Sequence, residues 1–282
     1  MVIRNDASLR ATIRAIANKN ALRPQEVLQM YLFEHLLLRL ERSPYVDKFV
    51  LKGGLLISSM IGVAVRTTMD MDTTVVGMSM NRTNVECVMA EICSIDVGDE
   101  MNYIFEGVEP IRADDEYANW RAHLRVRFGR MNAPVKVDIT TGDSIVPAQV
   151  DYRYPMMIDD GVISIMSYPL VTILAEKFET IVSRGVGNTR GRDFYDIYMF
   201  MKMRGGDIDY EEARRALEAT VVKRGSETAV ADYRNRLREV RESDVVRSAW
   251  DAYVQATPYA AGIAFDDAVS AALLLGDRIG AV

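Results

Sequence analysis

Two aspartates one residue apart, Asp70 and Asp72, close the stretch "KGGLLISSMIGVAVRTTMDMD" of residues 52–72, which Gly53 and Gly54 open. In a strand, residues i and i+2 face the same way, so the spacing predicts that both carboxylates project together, with Met71 opposite. Carboxylates a few ångströms apart repel each other unless a cation lies between them or one is protonated. An edge strand with an acidic solvent face would carry the same pair. The glycines free the backbone for a tight turn, and "LLISSMIG" reads as a short helix whose first amide groups can hold an anion. A phosphate at that helix start and a metal ion at the aspartates would together hold a nucleoside triphosphate. The plainer alternative is that the glycines only allow close packing.

A third carboxylate is available in "VKVDITTG". Asp138 stands in a strand among Val135, Val137 and Ile139, and Lys136 shares its face by the same two-residue rule. The two are either a surface pair or, if this strand neighbours the first, a metal ligand and a phosphate contact. Further along, Leu170, Ile173, Leu174, Phe178 and Ile181 mark the apolar face of a helix, and Lys177 falls inside it. An ammonium in a core stripe has to snorkel to water or meet an anion. In the helix beginning near Arg192, Asp193 shares a face with Ile197, Phe200 and Met201, and Asp196 lies at the edge of that face. Asp193 would suit the positive end of its own helix, but Lys177 is its natural partner. In "WRAHLRVRFG" Arg121, His123, Arg125 and Arg127 alternate with Ala122, Leu124, Val126 and Phe128, which gives either a phosphate-binding face or a solvated sheet face. Arg184, Arg190 and Arg192 add positive charge before Asp193.

Composition narrows the chemistry. The 282 residues are 49% hydrophobic and 26% charged, with a net charge of −6, which argues against a protein that coats nucleic acid indiscriminately. Two histidines, His35 and His123, and two cysteines, Cys87 and Cys93, suit neither a zinc spacing nor a disulfide framework, and the cysteines read as reduced helix residues. His35 reads as a packed or surface histidine of its helix. A metal here would be held by carboxylates, which favours hard cations such as magnesium. No apolar run is long enough to span a bilayer and the first 20 residues are too polar for a secretory signal, so a cytoplasmic protein without a membrane partner is expected.

These candidates must be positioned by three blocks. Residues 1–48 read as helices packed on the core, with Pro24 in a first helical turn. Residues 49–163 carry short β-type runs, "TTMDMDTTVVG", "NYIFEGVEPIR", "RAHLRVRFG" and "VKVDITTG", with helices at 54–62 and 82–94. Residues 164–282 are helical, with a cap signal at Ser167 and a stop at Gly185. The expected fold is α/β (α+β) and bilobed: a short mixed sheet, a helical C-terminal domain, and the active site between them.

A glycine pair before a helix, then an Asp-x-Asp strand, then a lone Asp on a later strand resembles the DNA polymerase β-like nucleotidyltransferase superfamily. The chain is most similar there to the AbiEii-type nucleotidyltransferase toxins, through "KGGLLISSMIGVAVRTTMDMD", "VKVDITTGD", "LAEKFETIVSR" and "RDFYDIYMF". Gly54 departs from the pattern, since many superfamily members have serine there. The resemblance implies a metal-dependent transferase, taking Mg2+ or Mn2+, that moves a nucleotide from a nucleoside triphosphate to an acceptor and releases pyrophosphate. It implies that Asp70 and Asp72 hold both metals and that Asp138 binds the one that activates the acceptor. Gly53, Gly54 and Lys177 would cradle the triphosphate, with Arg66, Thr68 and Lys136 as further nucleotide-binding candidates. Asp193 would position Lys177 or take the acceptor's proton. It further implies a toxin with a possible cognate antitoxin and an RNA acceptor such as the tRNA 3′ end. A small-molecule or protein hydroxyl as acceptor, or a non-catalytic nucleotide-binding regulator, are the alternatives.

Overall fold

A computed structural model describes residues 3, 5–111, 119–158 and 160–280. Arg112, the last residue of "NYIFEGVEPIR", lies outside them. The chain divides into two compact units, one of Met1–Asp143 with Val150–Ser167 and one of Ser144–Gln149 with Tyr168–Val282.

The first unit is built on a seven-stranded mixed sheet. Its strands are β1 (Phe49–Lys52), β2 (Met71–Val75), β3 (Asn102–Pro110), β4 (Trp120–Phe128), β5 (Met131–Thr141), β6 (Val150–Pro155) and β7 (Val162–Ser167). They lie in the order β3-β4-β5-β2-β1-β7-β6. Parallel pairs join β1 to β7 and β2 to β5, and the other neighbours are antiparallel. Strict alternation in β5 buries Val135, Val137 and Ile139 on one face and leaves Lys136 exposed and Asp138 half-buried on the other.

Helices α1 (Asp6–Lys19), α2 (Pro24–Glu41), α3 (Gly53–Ile61) and α4 (Arg82–Ser94) complete this unit. Pro24 opens α2, where its missing N–H leaves no helical bond unmade. His35 is buried in α2: its Nδ1 lies 2.7 Å from Asp99, which also accepts both Arg39 Nη groups at 2.7 and 2.8 Å. This cluster, with Arg39 over the Tyr103 ring at 4.2 Å, ties the connection between α4 and β3, and the start of β3, to α2. Cys87 and Cys93 are free thiols of α4, the first exposed and the second buried.

The second unit is helical among its described residues. Its site-bearing helices are α5 (Leu170–Arg184) and α6 (Gly191–Arg204). Gly185 caps α5 as expected, with φ +51. Ser167 does not start it: that residue ends β7, and α5 begins three residues later behind Pro169. The proline biases Tyr168 toward extended backbone and so delays the helix. The segment 144–149 belongs with these helices through Thr172, whose hydroxyl donates to the Val146 carbonyl at 2.8 Å.

Candidate active site

Strand β1 runs straight into α3 with no loop between them. The turn falls on Gly53, whose φ of +68 is a backbone conformation that side chains disfavour. Space as well as torsion requires glycine there. A Cβ at residue 53 would lie 2.1 Å from Asp72 Oδ2, so this carboxylate rests directly against the start of α3. A Cβ at residue 54 would lie 2.7 Å from Thr68 Oγ1 and 3.4 Å from an Arg66 guanidinium nitrogen. The missing serine at position 54 therefore has a steric reason: the buried Thr68 side chain fills its place. Close packing thus accounts for both glycines, and it gathers Arg66, Thr68 and Asp72 around the first turn of α3. Helix α3 has no side-chain cap, and the positive end of its dipole favours a negative group such as Asp72 nearby.

Asp72 is the second residue of β2. Asp70 is not in the strand as expected: it precedes β2 and is exposed. The Thr68 hydroxyl shapes the approach to the strand, donating to the Asp70 carbonyl at 3.1 Å and accepting from its amide at 3.2 Å. The strand of Asp138 does neighbour the first. Asp72 and Asp138 are direct register partners across the parallel pair β2–β5, so their side chains leave the same face of the sheet side by side.

That pair is the centre of a charged row that runs through three further register steps. Lys52 of β1 stands beside Asp72, and on the other side Asp138 stands beside Arg121 of β4, which stands beside Glu109 of β3. Arg121 grips both Asp138 oxygens, Nε at 2.7 Å and Nη2 at 2.8 Å. This hydrogen-bonded pairing raises the guanidinium pKa beyond its already high value, and the charge of Asp70 adds to the effect. Lys52 Nζ donates to Thr140 at 2.7 Å and to Asp143 at 2.5 Å. Lys52 and Asp143 were not among the expected site residues, although Lys52 adjoins the glycine pair in sequence. Among the described residues no three carboxylate, imidazole or thiol groups come together as a ready cage for a metal ion.

The basic alternation of β4 is present, but three of its four basic side chains already have acidic partners. Besides Arg121, Arg125 holds Glu106 through two bonds at 2.8 and 3.1 Å, and His123 lies 3.0 Å from Glu109. The solvated, ion-paired sheet face is the better description of that strand. Lys136 is exposed on the same face, in register with His123.

In the second unit, Lys177 of α5 reaches two aspartates of α6, Asp193 at 2.9 Å and Asp196 at 2.8 Å. The three side chains are 15%, 8% and 0% exposed, so the charge in the apolar stripe of α5 is matched inside the protein instead of snorkelling out. Burial works against the lysine charge, but the two carboxylates outweigh it and raise the Lys177 pKa. Asp196, expected at the edge of its helix face, is fully enclosed. The second oxygen of Asp193 is buried without a hydrogen-bond partner.

A family model described as "Nucleotidyl transferase AbiEii toxin, Type IV TA system" matches residues 35–271. No curated protein matches the chain. Among solved structures, MenT4, a nucleotidyltransferase toxin of Mycobacterium tuberculosis, superposes with a TM-score of 0.55 at 19% identity, over 96% of this chain and 98% of its own. JHP933 of Helicobacter pylori superposes with a TM-score of 0.51 at 15% identity, over 92% of each chain. Both likenesses are of fold. The family match spans most of the sequence and includes every one of the acidic and lysine side chains placed above. The chain is thus a nucleotidyltransferase of the AbiEii toxin family, which belongs to type IV toxin–antitoxin systems.

Proposed function

We propose that this nucleotidyltransferase uses a divalent cation, Mg2+ or Mn2+, to transfer a nucleotide from a nucleoside triphosphate to an RNA acceptor, such as the 3′ end of tRNA, in the cytoplasm. The observation that carries the metal reading is the register pairing of Asp72 with Asp138 on one sheet face. Magnesium commonly takes only one or two carboxylates and completes its shell with phosphate oxygens and water, so this donor set suits it even without a closed cage. When bound, the cation would polarise the α-phosphate and favour attack by the acceptor hydroxyl. Asp70, Asp72 and Asp138 are its proposed ligands. Gly53, Gly54, Arg66 and Thr68, at the start of α3, bind and orient the triphosphate, with Lys136 as an outlying contact. Lys177 neutralises phosphate charge, and Asp193 fixes the lysine or accepts the proton of the acceptor hydroxyl at its unpartnered oxygen.

The RNA acceptor and a cognate antitoxin are supported by membership of a toxin–antitoxin family. Among the described residues no helix is long and apolar enough to cross a membrane. The test is transfer of label from each of the four α-labelled triphosphates to total RNA, with and without chelator. Asp72→Ala should lower transfer at least ~100-fold with its melting curve kept, as expected for loss of a group that stabilises the transition state. Undiminished labelling by that variant, or by the chelated enzyme, would overturn the metal reading. Labelling of a co-purified protein or small molecule in place of RNA would move the acceptor to one of those classes.

A further inference from the structure

The Asp138 carboxylate is assigned above to a metal ion, yet both its oxygens are held by one guanidinium. A bidentate arginine takes one lone-pair direction from each oxygen and fixes the plane of the carboxylate, so a cation that coordinates Asp138 competes with it for position and for charge. We infer that Arg121 is the resident counter-ion of Asp138, and that Asp138 exchanges this guanidinium, wholly or in part, for the divalent cation when nucleotide is bound. The inference rests on the proposed metal role of Asp72 and Asp138.

Three features of the site fit such an exchange. Arg121 is 34% exposed at its side chain while Asp138 is 18% exposed, so the arginine end of the pair borders solvent and has room to turn. Its neighbour on the far side of the row is another carboxylate, Glu109 of β3, which is 58% exposed and stands in register with it. A guanidinium leaving Asp138 therefore has a second acidic partner within the same row. Finally, Asp70 also attracts Arg121 electrostatically, so one arginine offsets part of the mutual repulsion of Asp70 and Asp138 before any cation arrives. Arg121 is accordingly a positioning residue that sets metal affinity, and it touches no reacting atom.

The experiment measures Mn2+ binding to the full chain by calorimetry, with the free ion checked by electron paramagnetic resonance. It is run with each of the four α,β-methylene nucleoside triphosphates, which cannot transfer. Arg121→Gln removes the competitor and should bind Mn2+ about fivefold more tightly, the scale of a half-exposed ion pair. Arg121→Lys keeps the charge without the fork and should bind about twofold more tightly. The lysine variant serves as the test if the glutamine variant fails to give a cooperative melting curve. Unchanged or weaker Mn2+ binding in the folded variant overturns the exchange. Asp72→Asn, made in both backgrounds, separates the two failures. Binding that ignores Asp72 defeats the metal reading itself, whereas binding that needs Asp72 but ignores Arg121 defeats only the inference about Arg121.

Discussion

The Asp72 carboxylate occupies the space that a side chain on Gly53 would need, with Oδ2 2.1 Å and Cγ 2.7 Å from the position of the absent Cβ. The same glycine carries the positive φ that turns β1 into α3. Gly53→Ala therefore has to move Asp72 or the helix start, and it adds backbone strain as well. We expect a loss of about 1–3 kcal/mol in urea unfolding, read as a lower midpoint at unchanged slope. Nucleotide transfer should fall much more than that, because the displaced group is a proposed metal ligand. An alanine variant with wild-type stability and wild-type transfer would show that residue 53 neither confines Asp72 nor needs its left-handed backbone.

Asp99 gives a second prediction, confined to stability. Its burial disfavours ionisation, but hydrogen bonds from Arg39 and His35 outweigh that cost and hold its pKa below the ordinary carboxylate value of 3.8. A depressed folded-state pKa contributes stability that is present above 3.8 and lost as pH falls through the folded value. At neutral pH, Asp99→Asn leaves Arg39 buried with a weakened partner, and should cost about 3 kcal/mol. The difference between wild type and variant should shrink only below pH 3.8 in acid unfolding curves. Transfer per folded molecule should be unchanged, since this cluster is not among the proposed site residues. A gap that stays constant down to full unfolding would contradict the ionised cluster.

How far the sequence discloses this site differs from residue to residue. The two-residue rule correctly puts Lys136 and Asp138 on one face of β5, because alternation there is strict, but it leaves open whether that strand neighbours the strand of Asp72. Asp70 lies one residue outside β2, where the Thr68 side chain bonds its backbone on both sides, so the rule does not reach it. Helical spacing was sufficient to pick out Lys177 and Asp193 as charges on apolar faces. It could not place Asp196, since a residue at the edge of one helix is enclosed only by what packs against it. Strands β1, β6 and β7 are short or lack clear alternation, so "FVLK", "VDYRYP" and "VISIMS" carry little local signal. Arg121 could be seen as one of four alternating basic residues, but its pairing with Asp138 is a matter of register between strands. Register is fixed by the whole sheet, and the local pattern does not contain it.

The last prediction concerns the two aspartates that share Lys177. With one ammonium against two buried carboxylates, removing the lysine leaves negative charge enclosed without a partner, and Lys177→Met should cost about 3–5 kcal/mol. Adding Asp196→Asn to that variant should restore part of the loss, because it removes the most enclosed of the stranded charges. The Lys177 pKa is raised above the ordinary lysine value of 10.5, so its pairing contributes fully below pH 10.5 and is lost as pH rises beyond it. Melting temperatures taken from pH 8 to 12 should therefore show a constant gap between wild type and Lys177→Met up to about pH 10.5, closing only above it. A gap that closes near neutrality would mean that the lysine is not held as the cation. The two aspartates should also separate by effect. Asp196 is wholly enclosed, so Asp196→Asn should fall mainly on stability. Asp193 keeps one buried oxygen without a hydrogen-bond partner, so Asp193→Asn should fall mainly on transfer, lowering kcat more than it raises KM for the triphosphate. The reverse pattern, with Asp193 structural and Asp196 needed for turnover, would exchange the roles of the two residues.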